Sequence, residues 1–221
     1  MPGRIIAIGD VHGCHAALEA LIAAIVPTKE DTIVTLGDYV DRGPDSQKVI
    51  QTLIDLKQQT NLITLLGNHE RMMFDAREDN QAQDFWLHFG GSETVESYGS
   101  SIDDIPEQHW DFLEKCVPYY ELDEFIMVHA SYEPELPLAD QTEKVRLWQH
   151  LGVVPPLPHV SGKTVFVGHT PQANGEVLDA GHVVCIDTYC FGGKYLTAIN
   201  CETRETWQAD MLGRLRNENA Q

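Results

Sequence analysis

Apolar and polar positions follow one repeating order through the first third of the chain. A short apolar run leads into a polar loop, and apolar residues at helical spacing come after it. Residues 4–8 (RIIAI) predict a strand ending at Gly9-Asp10. Leu18, Leu21, Ile22 and Ile25 predict a helix over 14–25. Residues 32–36 (TIVTL) predict a second strand, again ending in Gly-Asp at Gly37-Asp38. Pro44 is placed to open a helix at its first position, running to about residue 57 on Val49, Ile50, Leu53, Ile54 and Leu56. Residues 61–66 predict a third strand, ending at Gly67-Asn68. Strands alternating with helices imply parallel pairing in an α/β fold.

That rhythm stops near residue 72. Phe85-Trp86 and Phe89 predict a helix broken at Gly90-Gly91, and residues 106–116 predict another with Trp110 and Leu113 on one face. Residues 73–117 therefore read as a helical insertion packed beside the sheet. Strands resume at 125–128 (FIMV), 164–167 (TVFV), 183–186 (VVCI) and 196–200, with a last arm through Thr206 and Trp207. The proline-rich stretch 153–161 predicts a loop, and the polar residues 214–221 a frayed tail. A chain of 221 residues with no internal repeat fits a single domain over 1–221.

Charge changes the picture of the middle. The chain carries 15 basic and 34 acidic side chains, a net of −19. Residues 73–144 alone hold 3 basic and 18 acidic side chains, a net of −15. Such a balance excludes nucleic acid and anionic membranes as electrostatic partners. Interleaved aromatics, among them Trp86, Trp110 and Phe112, distinguish it from a disordered acidic tail. No apolar run reaches the roughly 18–20 residues of a membrane span. Five scattered cysteines without metal-ribbon spacing predict reduced thiols and a cytoplasmic location.

Candidate chemistry gathers at strand ends in five places: Asp10-Val11-His12, Asp38-Tyr39-Val40-Asp41-Arg42, Asn68-His69-Glu70, His129 and His169. In an open α/β sheet, sites form at the carboxyl ends of strands, so the five clusters are placed to converge. Asp10 to Asp38 is 28 residues and Asp38 to Asn68 is 30, each one strand–helix unit. Oxygen and imidazole donors without thiolate suit divalent Mn, Fe or Zn in an open site. The donors suffice for two ions if one carboxylate bridges, as in metal pairs about 3.5–4 Å apart that clamp a phosphoryl group. Taken singly, each cluster reads better as a turn or a hydrogen-bonded core histidine; their phase with the strands is what points to a site.

GDVHG, GDYVDRG and GNHE, with the later His129 and Gly168-His169-Thr170-Pro171, resemble the phosphoprotein phosphatase family of the calcineurin-like metallophosphoesterases, in its compact bacterial and phage-type form. The resemblance runs over about 5–195 and implies two sheets packed face to face, flanked by helices. It implies that Asp10, His12 and Asp38 bind one metal, with Asp38 bridging to a second held by Asn68, His129 and His169. Mn leads Fe and Zn as the metal. His69 would be the general acid, Asp41 its orienting partner and Arg42 the phosphate fork. Attack would come from a metal-bound hydroxide, with no phosphoenzyme. Two positions depart from the pattern. The second phosphate arginine is missing after Trp148, where Gln149-His150 stands; Arg146 or His150 could serve instead, and Arg146 reads equally well as a surface helix charge. Tyr189 stands where the pattern has a glycine, either lining the substrate mouth or only filling space. The resulting expectation is a serine/threonine protein phosphatase acting on a phosphoprotein or small phosphoester. Its acidic middle would border the cleft and favour basic phosphopeptides, or serve only as a solvated face. Symmetrical dinucleoside tetraphosphatases are the alternative, set second because Glu70 and Asp41-Arg42 depart from their pattern. A non-enzymatic scaffold ranks last, and oligomeric state stays open.

Overall fold

The computed structural model describes residues 3–216. Strands β1 (Ile5–Ile8), β2 (Thr32–Thr35) and β3 (Asn61–Thr64) pair in parallel, with Ile6 opposite Ile33 and Ile33 opposite Leu62. Helices α1 (His15–Ile25) and α2 (Ser46–Leu56) connect them. Four helices follow: α3 (Asn68–Glu78), α4 (Asn80–Trp86), α5 (Ser92–Tyr98) and α6 (Glu107–Leu113). A wider π-helical turn over Leu87–Gly91 joins α4 to α5. Then come β4 (Tyr119–Glu121), β5 (Phe125–Val128), α7 (Glu143–Trp148), β6 (Thr164–Val167), β7 (Leu178–Asp179), β8 (Val183–Cys185), β9 (Tyr195–Asn200) and β10 (Thr206–Asp210). One sheet has the order β10-β9-β1-β2-β3 and the other β4-β5-β6-β8-β7. Both mix parallel and antiparallel pairs, and helices flank them. The fold is thus the expected α/β sandwich.

Alternation along the strands builds the layers. Ala7, Val34, Phe125, Met127, Phe166, Val184 and Ile199 point between the sheets and form one buried cluster. Ile6, Ile8 and Ile33 point the other way, onto Leu18, Leu21, Val49, Ile50 and Leu53 of α1 and α2. Ile126, Val128, Val165, Val167, Val183 and Cys185 face Tyr132, Leu138 and Leu151 on the outside of the second sheet.

Three expectations need correcting. The helix expected from Pro44 starts at Ser46. Residues before it are held in a turn by Gly43 N–H to Asp41 O and Asp45 N–H to Gly13 O. The third strand ends early and the chain enters α3 at Asn68, a helix whose buried Met72, Met73 and Ala76 carried a helical spacing. In the tail, Leu215 bridges Ala209 and Arg216 pairs with Glu176, so 214–216 are not frayed; 217–221 lie outside the described residues. The break expected at Gly90-Gly91 falls in the π-helical turn, where Gly90 has φ 112°. Among the described residues, no helix is long and apolar enough to cross a membrane.

Candidate metal centre and active site

The loops after β1, β2, β3, β5 and β6 meet at one edge of the sandwich. Val11 and His12 N–H both donate to Asp38 O, and Gly13 N–H to Tyr39 O, fastening the first loop to the second. His169 N–H donates to Asp10 Oδ2 at 2.8 Å, and His129 Nδ1 lies 2.7 Å from Leu36 O, so the second sheet is tied to the first at the site. His12, Asp38, Asp41, Arg42, His169 and Tyr189 all hold positive φ. Such backbone persists only where the surroundings enforce it, and it gathers at functional sites. Glu70 supplies much of the enforcement. Its buried carboxylate accepts from the N–H groups of Asp38, Tyr39, Val40 and Gly67 at 2.7–3.3 Å. Burial first, then the Asp38 charge, push this carboxyl upward, and the amides it accepts from oppose them. Gly168 has no room for a side chain, because a Cβ there would fall 1.9 Å from Asp10 Oδ1.

Two sets of donor atoms lie within 4.8 Å of one another: His12, Asp38 and His69, and Asp38, His129 and His169. Asp38 belongs to both. The residues fit cations on three observations. Asp10 Oδ1 and His169 Nε2 are buried with no partner. Nδ1 of His12 and of His129 can each donate to a main-chain carbonyl, Val40 O and Leu36 O, which leaves the Nε2 lone pair turned inward, as in metal-binding histidines. The inward Nε2 of His129 then faces Asn68 Oδ1 at 3.0 Å, two acceptors that a cation would reconcile. Arg42 Nη1 sits 3.0 Å from His12 Nε2, a positive group at the other inward lone pair.

Electrostatics separates the imidazoles. Burial lowers His12, His129 and His169, the last to about 3, and keeps them neutral as ligands must be. His69 goes the other way: burial lowers it, but Asp38 and Asp41 outweigh burial and raise it. Burial would also raise Asp38, yet the histidines around it, His129 foremost and then His69, outweigh burial and hold it well below the usual carboxylate range. Burial raises Asp10 well above the carboxylate range, with the charges of Asp187 and Asp38 adding to it. His69 Nδ1 lies 2.6 Å from Asp41 Oδ2, and Asp41 also accepts from Trp86 Nε1 and Thr94 Oγ1.

A cleft of about 210 Å³ opens over Asp38, Asn68, His69, His169 and Arg42, with Phe85, Phe89, Trp148 and His150 at its walls. The expected site residues separate accordingly. Asp10, His12, Asp38, Asn68, His129 and His169 come together with His69, Asp41 and Arg42. Arg146 lies elsewhere, donating to Leu138 O and set over the Tyr119 ring. His150 stacks on His169 at 4.4 Å. Tyr189 packs on Phe191, whose ring meets His12 and the Arg42 guanidinium. Sequence reasoning missed the organising role of Glu70, the partners Trp86 and Thr94, and the aromatic walls. Among the described residues, Asp38 is the one acidic residue lining the cleft, so the walls of the mouth are aromatic rather than acidic.

A bis(5'-nucleosyl)-tetraphosphatase, PrpE [asymmetrical], of Oceanobacillus iheyensis is 27% identical over 232 residues, covering 91% of this chain and 90% of the relative. Serine/threonine-protein phosphatase 1 of Salmonella typhimurium is 36% identical over 85 residues, 38% of this chain and 37% of the relative. A cold-active protein-tyrosine phosphatase of Shewanella superposes with a TM-score of 0.69 at 17% identity, over 98% of this chain and 80% of that one. The profile of the calcineurin-like phosphoesterases matches residues 3–197, and the chain belongs to that family.

Proposed function

We propose that the chain hydrolyses dinucleoside polyphosphates, with diadenosine tetraphosphate as the model substrate. The observation that carries the reading is the extent of kinship: a tetraphosphatase is similar over nine-tenths of the chain, whereas the protein phosphatase match covers 38%. The expectation had ranked these the other way because of Glu70 and Asp41-Arg42. Glu70 faces main-chain amides, and Asp41 faces His69, Trp86 and Thr94. Neither carboxylate lines the cleft, so neither meets a substrate directly.

Two divalent cations at Asp10, His12, Asp38, Asn68, His129 and His169, Mn ahead of Fe or Zn, would supply charge neutralisation and an activated water. The chain's own residues do the rest. Arg42 grips phosphate oxygens with its planar fork. His69, charged and held by Asp41, gives its Nε2 proton to the departing oxygen. Asp41 fixes the tautomer, and Trp86 and Thr94 fix Asp41.

Chromatography of the products from diadenosine tetraphosphate tests the reading against a phosphoserine peptide. The expected result is faster release of nucleotides than of phosphate from the peptide, and a loss of about 10²- to 10⁴-fold in His69→Asn. Faster turnover of the peptide would restore the serine/threonine phosphatase reading, which the Salmonella match favours.

A further inference from the structure

Three large aromatic side chains stand at the cleft open to water: Phe85 is 53% exposed, Phe89 45% and Trp148 38%. Clustered exposed aromatics mark recognition surfaces. They reach the cleft from two separate stretches of chain. Phe85 and Phe89 lie one helical turn apart across the end of α4 and the wider turn, with ring centroids 4.5 Å apart. Trp86, between them, turns inward and donates to Asp41, while Gly90 O accepts from Arg42 N–H at 3.0 Å. The pair is therefore fixed to both the His69 partner and the phosphate fork. Trp148 ends α7 on the other stretch, followed by His150 on His169.

We propose that Phe85, Phe89 and Trp148 form a nucleobase subsite, stacking one base of a nucleotide whose phosphates reach Arg42 and the metal centre. The proposal rests on the nucleotide reading above and says how the substrate is held. Among the cleft residues, Arg42 is the lone arginine or lysine, and the phosphate grip it would share with the metal centre contacts no base. Aromatic faces add affinity for any base, because every base has a π-face, and give little choice among bases. A phosphoserine side chain offers these rings no planar partner.

Two measurements test it. The first compares kcat/KM for diadenosine tetraphosphate with that for inorganic tripolyphosphate in the wild type, Phe85→Ala and Phe89→Ala. Each alanine variant is expected to lower the ratio about tenfold or more, chiefly through KM, and Phe85→Tyr to recover most of it. Equal losses on both substrates would overturn the subsite. The second needs no turnover. Titration of AMP into the wild-type protein should quench tryptophan fluorescence saturably, the signal should vanish in Trp148→Phe, and its midpoint should rise about tenfold in Phe85→Ala. Quenching that persists in Trp148→Phe would also overturn it. AMP quenching at Trp148 in a protein that leaves the tetraphosphate intact would uphold the subsite and reject the substrate reading. Tighter binding of a phosphotyrosine peptide than of AMP would reassign the rings and reject a nucleobase.

Discussion

Both carboxylate oxygens of Glu70 are committed to main-chain amides, and those amides belong to the loops that carry Asp38, Arg42 and Asn68. Glu70→Gln turns an NH₂ group toward N–H donors. We expect a loss of about 3 kcal/mol and a fall of roughly 6–12 °C in Tm by thermal unfolding. A second prediction concerns pH. Asp31 is buried and accepts from Arg4 Nε and Nη2, Arg4 N–H and Thr28 N–H, and the Arg4 guanidinium above all holds its carboxyl below the usual range. A depressed folded-state pKa adds stability that is complete above the unfolded value, about 3.9, and fades as pH falls toward the folded one. Urea unfolding of Asp31→Asn should therefore show a deficit of about 2 kcal/mol at pH 7 that shrinks below about pH 4. A deficit independent of pH would assign the effect to packing. The metal-type donors were legible from sequence because they fall in phase with the strands. Glu70, Trp86 and Thr94 were not, because their partners lie 30, 45 and 53 residues away and are brought to them by left-handed backbone at Asp38, Asp41 and Arg42.

Elements repeat the lesson at larger size. Strands and crossover helices could be read because periodicity is local; where loops bind loops, it misleads. Pro44 carries a good helix-start signal, yet the turn over 41–45 is claimed by Gly13, and the helix waits for Ser46. The insertion was legible as helices, but not its use: α4 faces the His69–Asp41 pair with Trp86 and the cleft with Phe85. The turn that permits both rests on Gly90, at φ 112°, where a Cβ would fall 2.8 Å from Arg42 Cγ and 2.9 Å from Arg42 N. Gly90→Ala is expected to cost about 1–3 kcal/mol through backbone strain. It should also raise KM for a phosphoester several-fold by displacing Arg42. Unchanged KM and Tm would mean that the turn relaxes without moving the arginine.

At the scale of the whole molecule, the net charge of −19 sits beside a cleft walled by aromatics and floored by metal-type donors. A polyanionic substrate approaches against this field and a basic phosphopeptide with it. Raising ionic strength from about 0.01 M to about 0.15 M shortens the Debye length from about 30 Å to about 8 Å. At fixed divalent metal, kcat/KM for diadenosine tetraphosphate should then rise, and that for a basic phosphopeptide should fall. A rate for the nucleotide that falls with salt would mean that the local field of the centre dominates the approach. The two-sheet arrangement was legible only through family resemblance, since nothing local in β9 says that it returns to β1. That return has a consequence for synthesis. β1 carries the Asp10 loop and lies between β2 and β9, with Ile6 opposite Asn200 and Ile8 opposite Ala198. β1 is thus paired on one side by a strand translated long after it. On the ribosome its free edge must stay unpaired, shielded or chaperoned until about residue 200 emerges. A nascent chain stalled between His169 and that point would hold every candidate donor of the centre and still lack the strand that locks the first of them in place.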